Sequence, residues 1–151
     1  MRIVLQRVKE ASVAIDGNIK SKIDLGLLLL LGIEAEDTQD DIDWLCNKAL
    51  GMRIFSDENG KMNRSVVDVE GDIIVVSQFT LYANIKKGTR PSFIRAAHPN
   101  KAIPLYEKFV QQLEQQLGKP VGTGEFGADM KISLLNDGPV TIIMDSKNRS
   151  Y

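Results

Sequence analysis

Met1-Arg2-Ile3-Val4-Leu5-Gln6-Arg7-Val8, Ala11-Ser12-Val13-Ala14-Ile15-Asp16-Gly17-Asn18-Ile19-Lys20-Ser21-Lys22-Ile23 and Leu27-Leu28-Leu29-Leu30-Leu31-Gly32-Ile33 are the three segments whose reading decides the fold. The first alternates Ile3, Leu5 and Arg7 against Val4, Gln6 and Val8, the period of a strand. In the second, two short apolar runs flank Asp16-Gly17, a two-residue hairpin signal. The third is an apolar run between glycines, too short for a helix of ordinary length, and reads as a strand buried on both faces.

Outward from there the period changes twice to that of a helix. Over residues 38–50, Ile42, Leu45 and Ala49 share one face, Thr38 and Asp41 can cap the start, and Gly51 stops it. From about residue 100 to Leu117, Leu105, Phe109, Leu113 and Leu117 recur at four-residue steps with Gly118 behind them. Pro104 is expected in the first turn or so, because deeper inside it would cost about 3 kcal/mol. Between and beyond the helices the sequence predicts strands at Met52–Phe55, Val66–Val69, Ile73–Phe79, Pro120–Gly122, Met130–Leu135 and Val140–Met144. Turns are expected at Val69-Glu70-Gly71-Asp72 and at Asn136-Asp137-Gly138-Pro139, and a brief helical turn within Ser92–Ala97. Strands joined mainly by hairpins, with two long helices inserted, predict an α+β fold with largely antiparallel, partly barrel-like sheet.

The chain has 151 residues, 43% hydrophobic and 26% charged, which suits one domain, residues 1–151, with a real core. The longest uncharged apolar run, Leu25 to Ile33, is nine residues and too short to span a bilayer, so no membrane role is expected. The N-terminus does not read as a signal peptide, since Arg7, Lys9 and Glu10 interrupt it. One cysteine, Cys46, makes no internal disulfide and fits a cytoplasmic protein. With one histidine and one cysteine a His/Cys metal site is not expected, nor is any cofactor.

Several motifs carry little. Gly122-Thr123-Gly124-Glu125-Phe126-Gly127 matches a dinucleotide fingerprint, but a strand follows it where a helix is needed. His98 would have to serve any Ser–His–Asp triad, yet it lies between loop signals. Cys46 lies on the first amphipathic helix near Trp44 and reads as a packing residue.

Three features remain. Ser77-Gln78-Phe79-Thr80-Leu81 ends an apolar strand in polar residues: either Ser and Thr close the strand, or a site opens there. Gly138-Pro139 lies between two strands, where a cis bond costs little and would make a rigid wall of backbone carbonyls; an ordinary turn is the other reading. Charge is the third. A net −1 comes from 19 Lys+Arg and 20 Asp+Glu, and by itself argues against a nucleic-acid partner. Its distribution is uneven. Glu34, Glu36, Asp37, Asp40, Asp41 and Asp43 suit the start of a helix. From Ile73 to Tyr106 there is no acid, but Lys86, Lys87, Arg90, Arg95 and Lys101 stand there, either as a solvated loop or as a grip on phosphates.

Together these residues resemble the D-aminoacyl-tRNA deacylase family. The likeness rests on Ser77-Gln78-Phe79-Thr80-Leu81-Tyr82-Ala83, Lys87-Gly88, Arg90-Pro91-Ser92-Phe93, Phe126-Gly127-Ala128-Asp129-Met130 and Asn136-Asp137-Gly138-Pro139-Val140-Thr141. The opening Met1-Arg2 and Gln6-Arg7-Val8 fit as well. It spans essentially the whole chain in family order. Asn84, Ile85 and Thr89 depart from the family pattern. The resemblance implies a cytoplasmic homodimer that hydrolyses the ester between a D-amino acid and the 3′ end of tRNA, and also removes mischarged glycine. It implies a catalytic pocket of Ser77, Gln78, Phe79 and Thr80, with Gly138 and Pro139 entering from the partner subunit. It places Met130 close to the terminal adenosine and Arg7 behind the Gly-Pro carbonyls. Lys86, Lys87 and Arg90 are the expected tRNA contacts. The remaining alternatives are a tRNA-binding module without turnover and an esterase acting on small free esters.

Overall fold

The computed structural model describes residues 1–150; Tyr151, included in the single-domain reading, lies outside the described residues. The elements follow in the order β1 (Arg2–Ile15), β2 (Asn18–Ile23), β3 (Gly26–Gly32), α1 (Gln39–Gly51), β4 (Phe55–Ser56), β5 (Met62–Arg64) and β6 (Asp72–Ser77). A 3₁₀ turn (Phe79–Tyr82), α2 (Pro99–Leu117), β7 (Gly122–Thr123) and β8 (Met130–Asp145) complete the chain.

The long strand β1 organises the sheet. β8 runs antiparallel along its whole length, β3 pairs with its first half and β2 with its second. The β1–β2 hairpin turns at Asp16 and Gly17, both at positive φ as a two-residue turn of this kind requires. β6 then joins β3, and β7 joins β6, both in parallel. The sheet is therefore mixed, antiparallel around β1 and parallel beyond β3, because the connection from β3 to β6 crosses over through α1. Between β2 and β7 the barrel is nearly closed by one side chain. Ser21 Oγ donates to the Thr123 carbonyl (2.5 Å) and accepts from the Thr123 amide (3.0 Å), standing in for a strand pairing.

Alternation along the strands sorts two apolar layers. Leu27, Leu29, Leu31, Ile73 and Val75 face the main core beneath α1 and α2, with Ile42, Leu45, Phe109 and Leu113 from the helices. Leu28, Ile74, Val76, Val8 and Val13 face the other way into a smaller cluster. The apolar run of β3 is thus buried on both faces, as its sequence predicts. Cys46 is buried in the main core, its thiol against the Phe109 carbonyl (3.7 Å), and burial pushes its pKa up to about 12. It is a packing residue.

Five local expectations need correction. Val66–Val69 forms tight turns in place of a strand, with Val69 and Gly71 amides bonded to the Ser65 and Val66 carbonyls. Strand pairing near Met52–Phe55 is confined to Phe55–Ser56. The strand from residue 73 stops at Ser77 and tightens into the 3₁₀ turn. Residues 136–139 do not end a strand: β8 runs through them, and the irregularity is a bulge. Pro104 is the sixth residue of α2, one turn deeper than expected, on an exposed stretch where water can satisfy the carbonyl it leaves unbonded. Among the described residues no helix is long and apolar enough to cross a membrane.

Candidate active site

β6 delivers the first group of site residues. Ser77 is its last residue, paired at the level of Leu31. The Gln78 amide is still bonded to the Leu31 carbonyl (2.7 Å), so the chain leaves the sheet only after that point. Gln78 is in neither the helical nor the extended region (φ −141°, ψ 77°), and the 3₁₀ turn begins at Phe79. The first bond closing the turn runs from the Leu81 amide to the Gln78 carbonyl (3.2 Å). The Phe79 and Thr80 amides precede that bond and head the turn, where helical amides have no acceptor within the helix. The Gln78 carboxamide donates to Thr80 Oγ1 (2.5 Å), so the Thr80 oxygen accepts from a neutral amide. That contact orients the hydroxyl but removes no proton from it.

Phe79 is 53% exposed and meets Phe93 edge to face, 5.2 Å between ring centroids. A small crevice opens below it, lined by Leu31, Ile33, Ser77, Phe79, Ala97, Ala102 and Phe126, with a volume of about 10 Å³. That is about the room of one water molecule, too little for a large side chain. Met130 does not line this crevice; it pairs with Ile15 and packs against the smaller apolar cluster. Its sulfur packs so closely over Gly124 that a Cβ on that residue would clash with it, and Gly124 belongs to the segment that also carries Phe126.

The basic residues adjoin this site. Asn84 and Ser92 exchange backbone bonds (2.7 and 3.0 Å) and pinch off the loop between them. The Asn84 side chain accepts from the Lys86 amide (2.9 Å). Asn84, Lys86, Lys87, Arg90 and Ser92 line a cavity of about 220 Å³. Ser92 precedes Phe93, so the cavity and the Phe79 ring are neighbours. His98 stands apart in role: it is exposed, and its backbone carbonyl accepts the Lys101 and Ala102 amides at the start of α2.

The second group lies elsewhere. Gln6 pairs with Thr141 and Val8 with Asn136, so the single β1 residue Arg7 faces four β8 residues, 137–140. The excess chain bulges outward, with a cis Gly138–Pro139 bond and both residues exposed. Arg7 is buried beneath it. Its Nε donates to the Asp137 carbonyl (3.0 Å) and lies 3.6 Å from the Asp137 carboxylate, while Nη1 donates to the Ile54 carbonyl. Arg7 thus braces the residue before Gly138 directly.

The register separates the two groups. Ser77 is level with Leu31, Ile3 and Met144, while the bulge is level with Arg7, Leu27 and Ile73. Four residue steps separate those levels, about 13 Å at the usual rise. One copy of the chain brings together Ser77, Gln78, Phe79, Thr80 and the basic loop. Met130 pairs with Ile15 at the far end of β1, and Gly138 and Pro139 are not brought to the turn either.

Residues 4–145 match the D-Tyr-tRNA(Tyr) deacylase family. The chain is 64% identical over 149 residues to a D-aminoacyl-tRNA deacylase of Flavobacterium johnsoniae and 63% identical over 149 residues to one of Parabacteroides distasonis, with 99% of each chain covered in both. A solved structure of a c-Myc DNA unwinding element binding protein superimposes with a TM-score of 0.91 at 41% identity, covering 96% of this chain and 98% of that one. The fold is also that of a probable eukaryotic D-amino acid tRNA deacylase, TM-score 0.81 at 17% identity, covering 95% and 97%. With the family matched over nearly its whole length and close relatives at such identity, the chain belongs to the D-aminoacyl-tRNA deacylase family of ester hydrolases.

Proposed function

We propose that this chain hydrolyses the ester joining a D-amino acid, or glycine, to the terminal adenosine of tRNA, acting as a cytoplasmic homodimer without a cofactor. One observation carries the reading: β6 sets the Phe79–Thr80 turn beside the basic cavity through the Phe79–Phe93 contact. The cavity suits a phosphate of the tRNA end, held by Lys86, Lys87 and Arg90. The ester carbonyl then lies at the turn, where the Phe79 and Thr80 amides accept the charge that develops on its oxygen. Water attacks the carbonyl carbon, helped by the neighbouring ribose 2′-hydroxyl. The tetrahedral intermediate collapses by expelling the ribose 3′-oxygen, which takes up the proton. Ser77 and Gln78 line the amino-acid end, and Met130 packs near the adenosine.

Chirality is read by exclusion. The Gly138-Pro139 bulge of a second copy supplies a wall of backbone carbonyls, braced from below by Arg7. An L side chain would strike that wall. A D side chain points away from it, and glycine has nothing to strike with. The crevice beside Ser77 has little room for a side chain, which supports a distinction made at the wall.

The test uses purified protein and tyrosyl-tRNA of both chiralities. Release of D-tyrosine with L-tyrosyl-tRNA spared is expected, and hydrolysis should slow sharply when the terminal adenosine lacks its 2′-hydroxyl. Phe79 offers a sharper probe of the amide. It is the first residue of the turn, where a proline's missing N–H costs no bond within the helix and its fixed φ suits a helical start. Phe79→Pro and Phe79→Ala both lose the ring, but only the first loses the N–H. Phe79→Pro should be about 10²–10³-fold slower in kcat than Phe79→Ala. Equal rates would remove the amide from the mechanism.

A further inference from the structure

The far end of the turn is held by Tyr82, a side chain to which neither the site nor the family resemblance gives a role. Tyr82 ends the turn, and its ring is 1% exposed. Two guanidinium groups lie over that ring, Arg2 at 4.8 Å and Arg95 at 5.3 Å from the centroid. Each is tied elsewhere. Arg95 Nη2 donates to Glu34 at the end of β3 (3.1 Å). Arg2 pairs with Asp145 at the end of β8 (3.0 and 2.8 Å), and its Nη1 donates to the Leu81 carbonyl inside the turn itself (2.8 Å). The segment carrying Arg95 is stitched to the same place: Ala96 bridges Glu34, and the Ala97 amide is bonded to the Ile33 carbonyl (2.9 Å).

We propose that the Arg95–Tyr82–Arg2 stack is a positioning device for the Phe79–Thr80 amides. It acts through the backbone of the turn and does not touch the substrate. At its start the turn is fixed by the Gln78 amide on β3, but Phe79 and Thr80 are themselves exposed. Their direction is set by what holds Leu81 and Tyr82. Cations over an aromatic face supply that hold. The Tyr82 hydroxyl is 3.5 Å from Glu34, too long for a strong hydrogen bond, so the ring is the anchor. Burial, together with Asp37 and Glu34, keeps that hydroxyl protonated well above the ordinary phenol range, and it adds no titration of its own near neutrality. The proposal rests on the reading that the turn amides hold the ester oxygen.

The test is steady-state kinetics on D-tyrosyl-tRNA with Arg95→Gln, Arg95→Lys and Tyr82→Phe. Arg95 is a surface residue, so its variants are expected to fold, and thermal melting checks this. Arg95→Gln should lower kcat about 10-fold with KM within about twofold, the signature of misplaced groups. Arg95→Lys, which keeps a cation for the ring, should recover most of the loss. Tyr82→Phe, which keeps the ring, should remain near the parent rate. If Arg95→Gln instead raises KM at unchanged kcat and flattens the salt dependence, Arg95 is a phosphate contact and the proposal is overturned. Unchanged kinetics in Arg95→Gln, or loss in Tyr82→Phe, overturns it too. The Phe79→Pro and Phe79→Ala pair separates the failures. If that pair differs while Arg95→Gln is silent, only the stack is refuted; if the pair is equal, the reading of the turn has failed first.

Discussion

Gly138 shows how much can hang on a single hydrogen. Its φ is +129°, a region that residues with a side chain rarely enter. A Cβ there would lie 2.9 Å from Val140 Cγ2 and 3.0 Å from Arg7 Nη2. Both neighbours are fixed, one by packing and the other by its bonds to Asp137 and Ile54. Gly138→Ala should therefore cost about 1–3 kcal/mol in stability. It should also displace the bulge and abolish D-specific release. Melting and the paired D- and L-tyrosyl-tRNA assay check both effects, and wild-type values in both would contradict this account. Residues differ in how far sequence exposes them. Ser77–Thr80 stand out because polar side chains interrupt an apolar run. Tyr82 does not: it opens a polar stretch, and its partner Glu34 lies 48 positions away. Only the fold reveals it as buried against two cations.

Among the elements, α1 illustrates a local signal with a distant completion. Thr38 and Asp41 meet as the capping pattern predicts, the Thr38 amide donating to the Asp41 carboxylate (2.8 Å). The tail then adds what no local pattern foretells. Lys147 pairs with Asp41 (2.9 Å), and Arg149 pairs with Asp40 (2.6 Å) while lying over the Trp44 ring. Burial pushes the Asp41 carboxyl up, but bonds from Ser146, Lys147 and the Thr38 amide outweigh it and hold the pKa at about 2. Because the folded value is below the unfolded one, near 3.9, the group stabilises the fold above about pH 4. That contribution is lost as the pH falls through about 2. Asp41→Asn should then lower stability by about 2 kcal/mol at pH 7, with the gap to the parent closing in acid. Denaturant melts at several pH values measure it; a gap independent of pH would assign the stabilisation to packing. β8 teaches the opposite lesson. Asn136-Asp137-Gly138-Pro139 has turn composition, yet the strand on either side pairs with β1 throughout, so long-range pairing overrides local turn chemistry.

For the molecule as a whole, the decisive fact is that Ser77–Thr80 and Gly138-Pro139 lie at different levels of one sheet. A site that uses both must draw them from two copies. This makes a mixing experiment informative. Phe79→Pro damages one group and Gly138→Ala the other, so each homodimer has no intact site. In a dimer of one of each, one site combines both defects and the other combines neither. A one-to-one mixture allowed to exchange subunits should regain about a quarter of wild-type activity. No recovery, with exchange verified by mass, would place both groups of one site in a single chain. Net charge is also settled at this scale. The total of −1 hides an acid-free stretch whose Lys86, Lys87 and Arg90 gather around one cavity. Contact with a tRNA end should accordingly weaken as salt rises.

The sequence by itself determined the periodicities, and with them the two helices, the β1–β2 hairpin, the doubly buried β3 and the α+β class. Those follow from neighbours a few positions apart, whose spacing alone says which face is apolar. It also marked the two site motifs, through their resemblance to a known family. The parallel pairing of β3, β6 and β7 was decided only by tertiary structure, as were the closure of the barrel at Ser21 and the bulge in β8. So were the Arg2–Tyr82–Arg95 stack and the distance between the two motifs. Each depends on which segments meet in space, and contacts between residues dozens of positions apart leave no period in the chain that makes them.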